Sequence, residues 1–249
     1  MVNKSQVLLD IANKKAIKVI SGLTNLNYEH VLTIARASQR ACVSYIDIAA
    51  DPQLVKVVKA NVNIPICVSG LEIQPIYNAV LAGADLIEVG NYESLYKRNT
   101  VLSVCKIITL VEEIKKLCPR VPLTVTIPYI LNQKDQINLC KQLESLRVDY
   151  IQTEGNSISK CKNHCVQDLL RLSLQTLACT YELVKHTQLP IICSSGLSDV
   201  TVPLAFSLGA SGIGIGKFVT SYYEEEKIVS ILSKIKKIVS GTRSYQACE

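Results

Sequence analysis

The stretch PIICSSGLSDVTVPLAFSLGASGIGIGK (190–217) decides the fold, because two short apolar runs flank a helical segment. The first run, PIICSSG (190–196), opens on a proline, and the second, SGIGIGK (211–217), follows the turn sequence SLGAS (207–211). A glycine at such a turn ends the preceding helix in a left-handed cap. A strand, a helix and a second strand in this order predict a parallel βαβ unit.

Six further runs of the same kind precede this unit: AIKVIS (16–21), VSYIDIA (43–49), PICVSG (65–70), DLIEVG (85–90), PLTVTIP (122–128) and DYIQTEG (149–155). Helical periodicity fills the intervals, most clearly over 100–117, 168–185 and 224–239. Eight parallel strands with crossover helices predict an α/β fold, a (β/α)8 TIM barrel, which typically needs about 250 residues. We therefore expect one domain over 1–249, with an extra N-terminal helix near 6–13 that closes the bottom of the barrel.

The composition fits a globular protein that works in a reducing compartment. Hydrophobic residues make up 48% of the chain and charged residues 19%, and the ten cysteines lie mostly in apolar runs. A net charge of +6 suits an anionic ligand and is too small to indicate a nucleic-acid partner. We see neither a signal or transit segment nor a membrane span, and the sequence leaves a homo-oligomer open.

The two faces of the predicted strands differ in polarity. Along each strand, the alternate residues that point to one side are mostly isoleucine or valine, as at Ile17 and Val19; we call these the apolar parity. The other parity becomes polar toward the strand ends, at Lys18, Asp47, Ser69, Glu88, Thr124, Thr126, Gln152, Glu154 and Ser194. A charge that faced the apolar side of the helices would be costly, so we place the polar parity in the barrel lumen, near its open end.

Four of these residues are candidate catalytic groups: Lys18, Asp47, Glu88 and Glu154. Carboxylates in a desolvated site suit general acid or base catalysis, and a lysine suits a Schiff base or the stabilisation of an enolate or phosphate. Ser69, Thr126 and Gln152 are candidate substrate contacts. Two alternatives stay open: an ion network that only fixes the strand register, and Mg²⁺ held by two carboxylates, although we predict no metal site.

The last two strands carry a candidate phosphate site, within about 190–221. It comprises Ser194, Ser195 and Gly196 after strand seven, and Gly214, Gly216 and Lys217 at the end of strand eight. Glycines allow close backbone approach, and a short helix over 217–221 would point its amide groups at an anion. The alternative is that these glycines only allow tight packing of the last strand.

A weaker signal is the sequence CKNHC (161–165), in which Cys161, His164 and Cys165 resemble half of a metal site. Zinc needs three or four ligands, and no second cluster is near in sequence. The role of this loop stays open.

Several blocks resemble a known family. IKVISGL, YIDIAADPQLV, AGADLIEVGNYESLY, TVTIPY, DYIQTEG and GASGIGIGK are similar to the plastid and cyanobacterial family of hypothetical chloroplast reading frame 23, over nearly the whole chain. The resemblance implies a plastid-encoded barrel protein of the chloroplast stroma, and it brings no established activity or catalytic residues. More distantly, the last two strands are similar to phosphate-binding barrels such as thiazole synthase, which implies only the anion role.

Three functional hypotheses follow. The first is an enzyme that isomerises, epimerises, cleaves or joins a small phosphorylated metabolite, with Lys18 as the electrophilic or Schiff-base group and Glu154 or Asp47 moving the proton. The second is a flavin-dependent oxidoreductase whose FMN phosphate occupies the same anion site. The third is a barrel that senses a metabolite or scaffolds a partner without catalysis. The sequence does not assign a cofactor.

Overall fold

The fold is a closed barrel of eight parallel strands, as the sequence predicts, in a computed structural model that describes residues 4–90, 92, 96, 102–156 and 165–241. The strands, each paired with its neighbours in chain order, are β1 (Ala16–Ile20), β2 (Tyr45–Ala49), β3 (Ile66–Gly70), β4 (Leu86–Val89), β5 (Leu123–Ile127), β6 (Tyr150–Thr153), β7 (Ile191–Ser194) and β8 (Gly212–Ile215).

Helices follow the strands on the outside. In the described part of the chain they are α1 (Lys4–Ala12), α2 (Tyr28–Arg40), α3 (Pro52–Asn61), α4 (Ile73–Leu81), α5 (Val104–Leu117), α6 (Gln133–Ser145), α7 (Val166–Val184), α8 (Val202–Ser207), α9 (Lys217–Thr220) and α10 (Glu225–Gly241).

The apolar parity of the strands packs against these helices. Ile17 and Val19 of β1 lie in one buried cluster with Ile34 of α2 and Leu232 of α10. Burial of large aliphatic side chains contributes about 1.5–3 kcal/mol each, so this layer supplies much of the stability. The opposite parity is therefore left to fill the lumen, where the polar side chains lie.

The N-terminal helix closes the bottom of the barrel, as predicted. Val7 and Ile11 of α1 are buried in a cluster with the lowest lumen residues, among them Tyr45 and Tyr150. Asp10 fixes the helix, because its Oδ2 accepts a hydrogen bond of 2.7 Å from Ser44 Oγ. The helix thus covers the lumen from below, at the amino ends of the strands.

Two predicted boundaries shift for local reasons. The helix predicted over 100–117 begins at Val104, because Ser103 caps it by accepting a hydrogen bond from the Lys106 amide. The strand predicted over 211–217 ends at Ile215, since Gly216 leaves the extended conformation (φ −112°, ψ −106°) and starts α9. The described helices include none that is long and apolar enough to cross a membrane.

Candidate active site in the barrel lumen

A fully buried lysine stands at the centre of the lumen. Lys18 Nζ lies 3.1 Å from Asp47 Oδ2, contacts Glu88 Oε2, and donates a hydrogen bond of 3.0 Å to Gln152 Oε1. The exposed fraction is 0% for Lys18 and Glu88 and 2% for Asp47. The sequence reasoning expected these charges to meet, and the structure brings them into direct contact.

The two carboxylates have further partners. Ser69 Oγ donates to Asp47 Oδ1 over 2.5 Å, and Thr126 Oγ1 and Gln152 Nε2 both donate to Glu88 Oε1 over 2.9 Å. We call these six residues the lumen network: Lys18, Asp47, Ser69, Glu88, Thr126 and Gln152. One ammonium faces two carboxylates, so the network carries a formal charge of −1 in a site shielded from water.

The strand register explains why these residues meet. Ser69 pairs directly with Glu88, and Thr126 pairs with Gln152. Each of these four residues is the next to last of its strand, so the network lies toward the open end of the barrel. Just beyond β4, a side chain at Gly90 would collide with Thr126 and Glu88, so only glycine fits over the network.

Glu154 belongs to a neighbouring aromatic cluster at the rim. Its Oε1 accepts hydrogen bonds of 2.5 Å from the Tyr96 hydroxyl and 3.2 Å from the Tyr129 backbone N–H. The Tyr96 and Tyr129 rings meet edge to face at 5.0 Å. Burial and the adjacent Glu154 raise the pKa of Tyr96 well above its usual range, so its hydroxyl stays protonated and donates the hydrogen bond to Glu154. The strand alternation predicts Glu154 beside Lys18, whereas its hydrogen bonds place it in this aromatic cluster.

The two tyrosines were missed as site residues. Tyr129 lies two residues after the end of β5, in the sequence IPYI. Because residues at the carboxyl ends of barrel strands often belong to the active site, this position could have identified it. Tyr96 lies in the connection after β4, where the spacing of residues in the sequence does not indicate which way a side chain points. Tyr92, in the same connection, is buried in the outer core and donates to the Thr126 carbonyl over 3.0 Å.

The predicted phosphate residues surround the ends of β7 and β8. Ser194 is buried, and Ser195 and Gly196 both have positive φ, at 84° and 68°. A positive φ is unusual for a serine, so the loop holds Ser195 in a strained conformation. Lys217 is exposed and begins α9 directly after Gly216.

Packing accounts for two of the glycines. A β-carbon at Gly214 would lie 2.5 Å from Ser194 Oγ, and one at Gly196 would collide with the Leu172 carbonyl of α7. The alternative that these glycines allow close packing therefore holds at both positions. Close packing of these glycines does not exclude an anion above them.

The floor of the lumen is also polar: besides Thr124, which the strand alternation predicts in the lumen, it carries Tyr45 and Tyr150. All three hydroxyl groups are buried, and those of the two tyrosines interact with each other. Burial raises the pKa of Tyr45, Tyr150 and the neighbouring Cys67 thiol well above their usual ranges. These groups stay protonated beneath the lumen network.

The ligand set for a metal ion is present in part but fits poorly. Ligand atoms of Asp47, Cys67 and Glu88 lie within 4.8 Å of one another. However, the Lys18 ammonium already bridges the two carboxylates, and burial keeps the Cys67 thiol protonated, whereas a metal binds the thiolate. We therefore derive no metal chemistry here. The other candidate metal site was the sequence CKNHC (161–165). Its residues 161–164 lie outside the described residues, and Cys165 is exposed.

The closed barrel, with a charged lumen that opens at the carboxyl ends of its strands, defines a TIM-barrel protein. The chain belongs to the family described as "Protein of unknown function (DUF561)", whose model matches residues 1–245. The resemblance predicted from the sequence blocks is thereby confirmed.

Relatives carry the name of the chloroplast reading frame. The chain is 44% identical over 226 residues to "Uncharacterized protein ycf23" of Cyanophora paradoxa, covering 90% of this chain and 93% of that protein. It is 34% identical over 246 residues to the protein of that name from Porphyra purpurea, covering 99% and 93%. These algal relatives support a plastid origin.

Solved structures share the fold at low sequence identity. (S)-3-O-geranylgeranylglyceryl phosphate synthase from Thermoplasma acidophilum superposes with a TM-score of 0.66 at 11% identity, covering 97% of this chain and 99% of that one. 3-Hexulose-6-phosphate synthase from Salmonella typhimurium gives 0.64 at 14% identity, covering 91% and 99%. At such identities the likeness establishes the fold alone.

Proposed function

We propose that this protein is an enzyme of the chloroplast stroma that acts on a small phosphorylated metabolite, by isomerase or epimerase or by lyase or synthase chemistry. The observation that carries the proposal is the fully buried Lys18 between Asp47 and Glu88. No nucleic-acid partner is expected, a prediction that still rests on the mild net charge of +6.

The energetics of the network favour a functional role. Taking two carboxylates and an ammonium out of water costs several kcal/mol per ion, and well-packed apolar residues of similar volume usually stabilise a protein as well or better. A network kept for stability alone would therefore be a poor solution. Residues next to last in their strands, such as Glu88 and Gln152, stand where TIM-barrel enzymes hold their catalytic groups.

The contacts suggest how the network would work on a carbonyl compound. In the covalent route, the Lys18 ammonium gives a proton to Glu88, and the neutral amine attacks the carbonyl carbon. The resulting carbinolamine loses water to form an imine. In the non-covalent route, Lys18 keeps its proton and stabilises an enolate, while Asp47 or Glu88 removes the proton next to the carbonyl. Glu154, held by Tyr96, would stand at the entrance.

We assign the phosphate to the ends of β7 and β8. Ser194, Ser195 and Gly196 form one side, and Gly214, Gly216 and Lys217 form the other. Two observations support this assignment. Lys217 is exposed and directly follows Gly216 after β8, so a positive charge stands beside this end of the strands. The synthase from Thermoplasma acidophilum, which shares the fold, was solved in complex with its substrate sn-glycerol-1-phosphate.

Borohydride trapping tests the covalent route. The protein is incubated with a set of phosphorylated aldehydes and ketones, reduced with sodium borohydride, and digested for peptide mass spectrometry. We expect an adduct on Lys18 that Lys18→Arg abolishes, whereas Lys15→Arg, a change of the partly exposed lysine three residues away, leaves it unchanged. Inorganic phosphate should reduce the yield by competition.

Deuterium exchange tests the non-covalent route with the same compounds. Incorporation next to the carbonyl in D2O, lost in Lys18→Met and Glu88→Gln, would support enolate chemistry without an adduct. If no compound in the set shows either an adduct or exchange that depends on Lys18, the proposal is wrong.

A further inference from the structure

An apolar stripe runs along the outer side of α7. Val166, Leu170, Leu174, Tyr181 and Val184 are between 37% and 65% exposed, which is unusual for large apolar side chains on one helix. Leu204 of α8, which packs beside α7, is 42% exposed. We call these six residues the α7 patch; they account for six of the fourteen large apolar side chains exposed in the described part of the chain.

The patch has a structural cause. The long α7 has 19 residues, whereas its neighbour α8 has only six. One side of α7 packs on the barrel, through residues such as Thr176 and Leu183. The side that turns toward α8 extends beyond what so short a helix can cover, so its apolar residues are left in water.

The spacing of the stripe indicates what kind of element covers it. Leu170, Leu174, Leu177, Tyr181 and Val184 follow one another at intervals of four, three, four and three residues. This is the a/d repeat with which one helix packs against another. Leu177 is buried in the barrel's outer core, and the other four members of the repeat are partly or largely exposed. The repeat is therefore suited to pack against a second helix that does not belong to the same barrel.

The size of the patch fits a homodimer. Five of the six residues are aliphatic, so we take about 150 Å² per residue, the lower end of the range for aromatic side chains, and the exposed fractions correspond to roughly 430 Å² of apolar surface. A standard interface buries about 800 Å² per partner, and about 65% of a homodimer interface is apolar, which is about 520 Å². One patch on each of two copies therefore supplies most of the apolar share of a stable interface.

We propose that two copies of this protein pair through the α7 patch, with their α7 helices antiparallel around a twofold axis near Leu174. A twofold contact uses the same patch on both copies, so neither is left exposed. The repeat itself contains no charged residue, and Lys185, whose Nζ lies 3.6 Å from the centre of the Tyr181 ring, is paired with Glu182 over 3.3 Å. The antiparallel arrangement also places the positive N-terminal end of each helix beside the negative C-terminal end of the other.

The pairing would bear on the predicted phosphate loop. Gly196 packs so closely on the Leu172 carbonyl of α7 that a β-carbon there would collide with it. An interface that holds α7 in place therefore also holds the loop after β7. The proposal does not depend on the proposed catalytic function, because its test measures mass and not activity.

The test is the mass of the full chain in solution, by light scattering and sedimentation equilibrium over a range of concentrations. We expect twice the chain mass of 27.4 kDa. Leu174→Glu should weaken the dimer at least 100-fold, while circular dichroism shows an unchanged fold. The matched control is Leu81→Glu on α4, a leucine of similar exposure at 69%, which should leave the dimer intact.

A cross-link gives an independent readout. Leu174→Cys should form a disulfide between two copies under mild oxidation, at a yield that the wild type and Leu81→Cys do not reach. The proposal is overturned if the wild type has the mass of one chain at all concentrations, if Leu174→Glu stays dimeric, or if Leu81→Glu dissociates the dimer equally.

Discussion

Replacing Lys18 by methionine should destabilise the protein strongly. The side chains have similar length, so the change removes the charge and leaves the packing nearly intact. Removal of one partner from a buried ion pair costs about 3–5 kcal/mol, because the remaining charge is left without compensation. Here both Asp47 and Glu88 lose their cation in a site that is at most 2% exposed. We expect a loss of about 4 kcal/mol in the free energy of unfolding.

A double-mutant cycle separates this cause from a general loss of packing. Glu88→Gln added to Lys18→Met removes one of the two stranded charges while keeping most of the hydrogen bonds. We expect the double variant to recover about 2 kcal/mol relative to Lys18→Met, within the range of measured couplings between contacting residues. Urea unfolding followed by far-ultraviolet circular dichroism gives the free energies; the chain has no tryptophan to report by fluorescence.

A surface ion pair provides the control. Lys59 Nζ lies 2.6 Å from Asp85 Oδ2, and the two side chains are 41% and 27% exposed. Lys59→Met should cost less than about 1 kcal/mol, as exposed pairs do. The reasoning is refuted if Lys18→Met costs no more than Lys59→Met, or if the effects of Lys18→Met and Glu88→Gln simply add.

Two further predictions concern the floor and the outer core. Ile11→Ala, in the helix that closes the lumen, should lower the free energy of unfolding by about 2–5 kcal/mol, whereas Leu9→Ala on the exposed side of the same helix should change it by less than about 0.5 kcal/mol. Burial raises the pKa of both Cys140 and Cys179 from 9.0 to about 12, so the folded state holds these protons longer than the unfolded state. The free energy of unfolding should be constant below about pH 9 and decline above it, which lowers the urea midpoint. Cys140→Ala should reduce this fall. A midpoint independent of pH up to about pH 11 would contradict the assignment.

The candidate site was predicted in part. Alternation along a strand assigns Lys18, Asp47 and Glu88 to one face without knowledge of the fold, because neighbouring residues point to opposite sides. It could not show that Lys18 bridges both carboxylates, since that depends on the relative register of strands far apart in sequence. Glu154 shares the parity, yet it lies beyond the end of β6, where alternation no longer fixes a side chain, and Tyr96 holds it at the rim.

The sequence by itself determined the barrel, its N-terminal plug and the polarity of its two strand faces. These properties follow from local patterns, namely periods of two and of 3.6 residues, glycine turns and chain length. Only the tertiary structure decided which polar residues touch, that the floor beneath them is lined by Tyr45 and Tyr150, and that α8 is too short to cover α7. The physical reason is that such contacts join segments distant in the chain, and their geometry is set by register and packing, which no local pattern encodes.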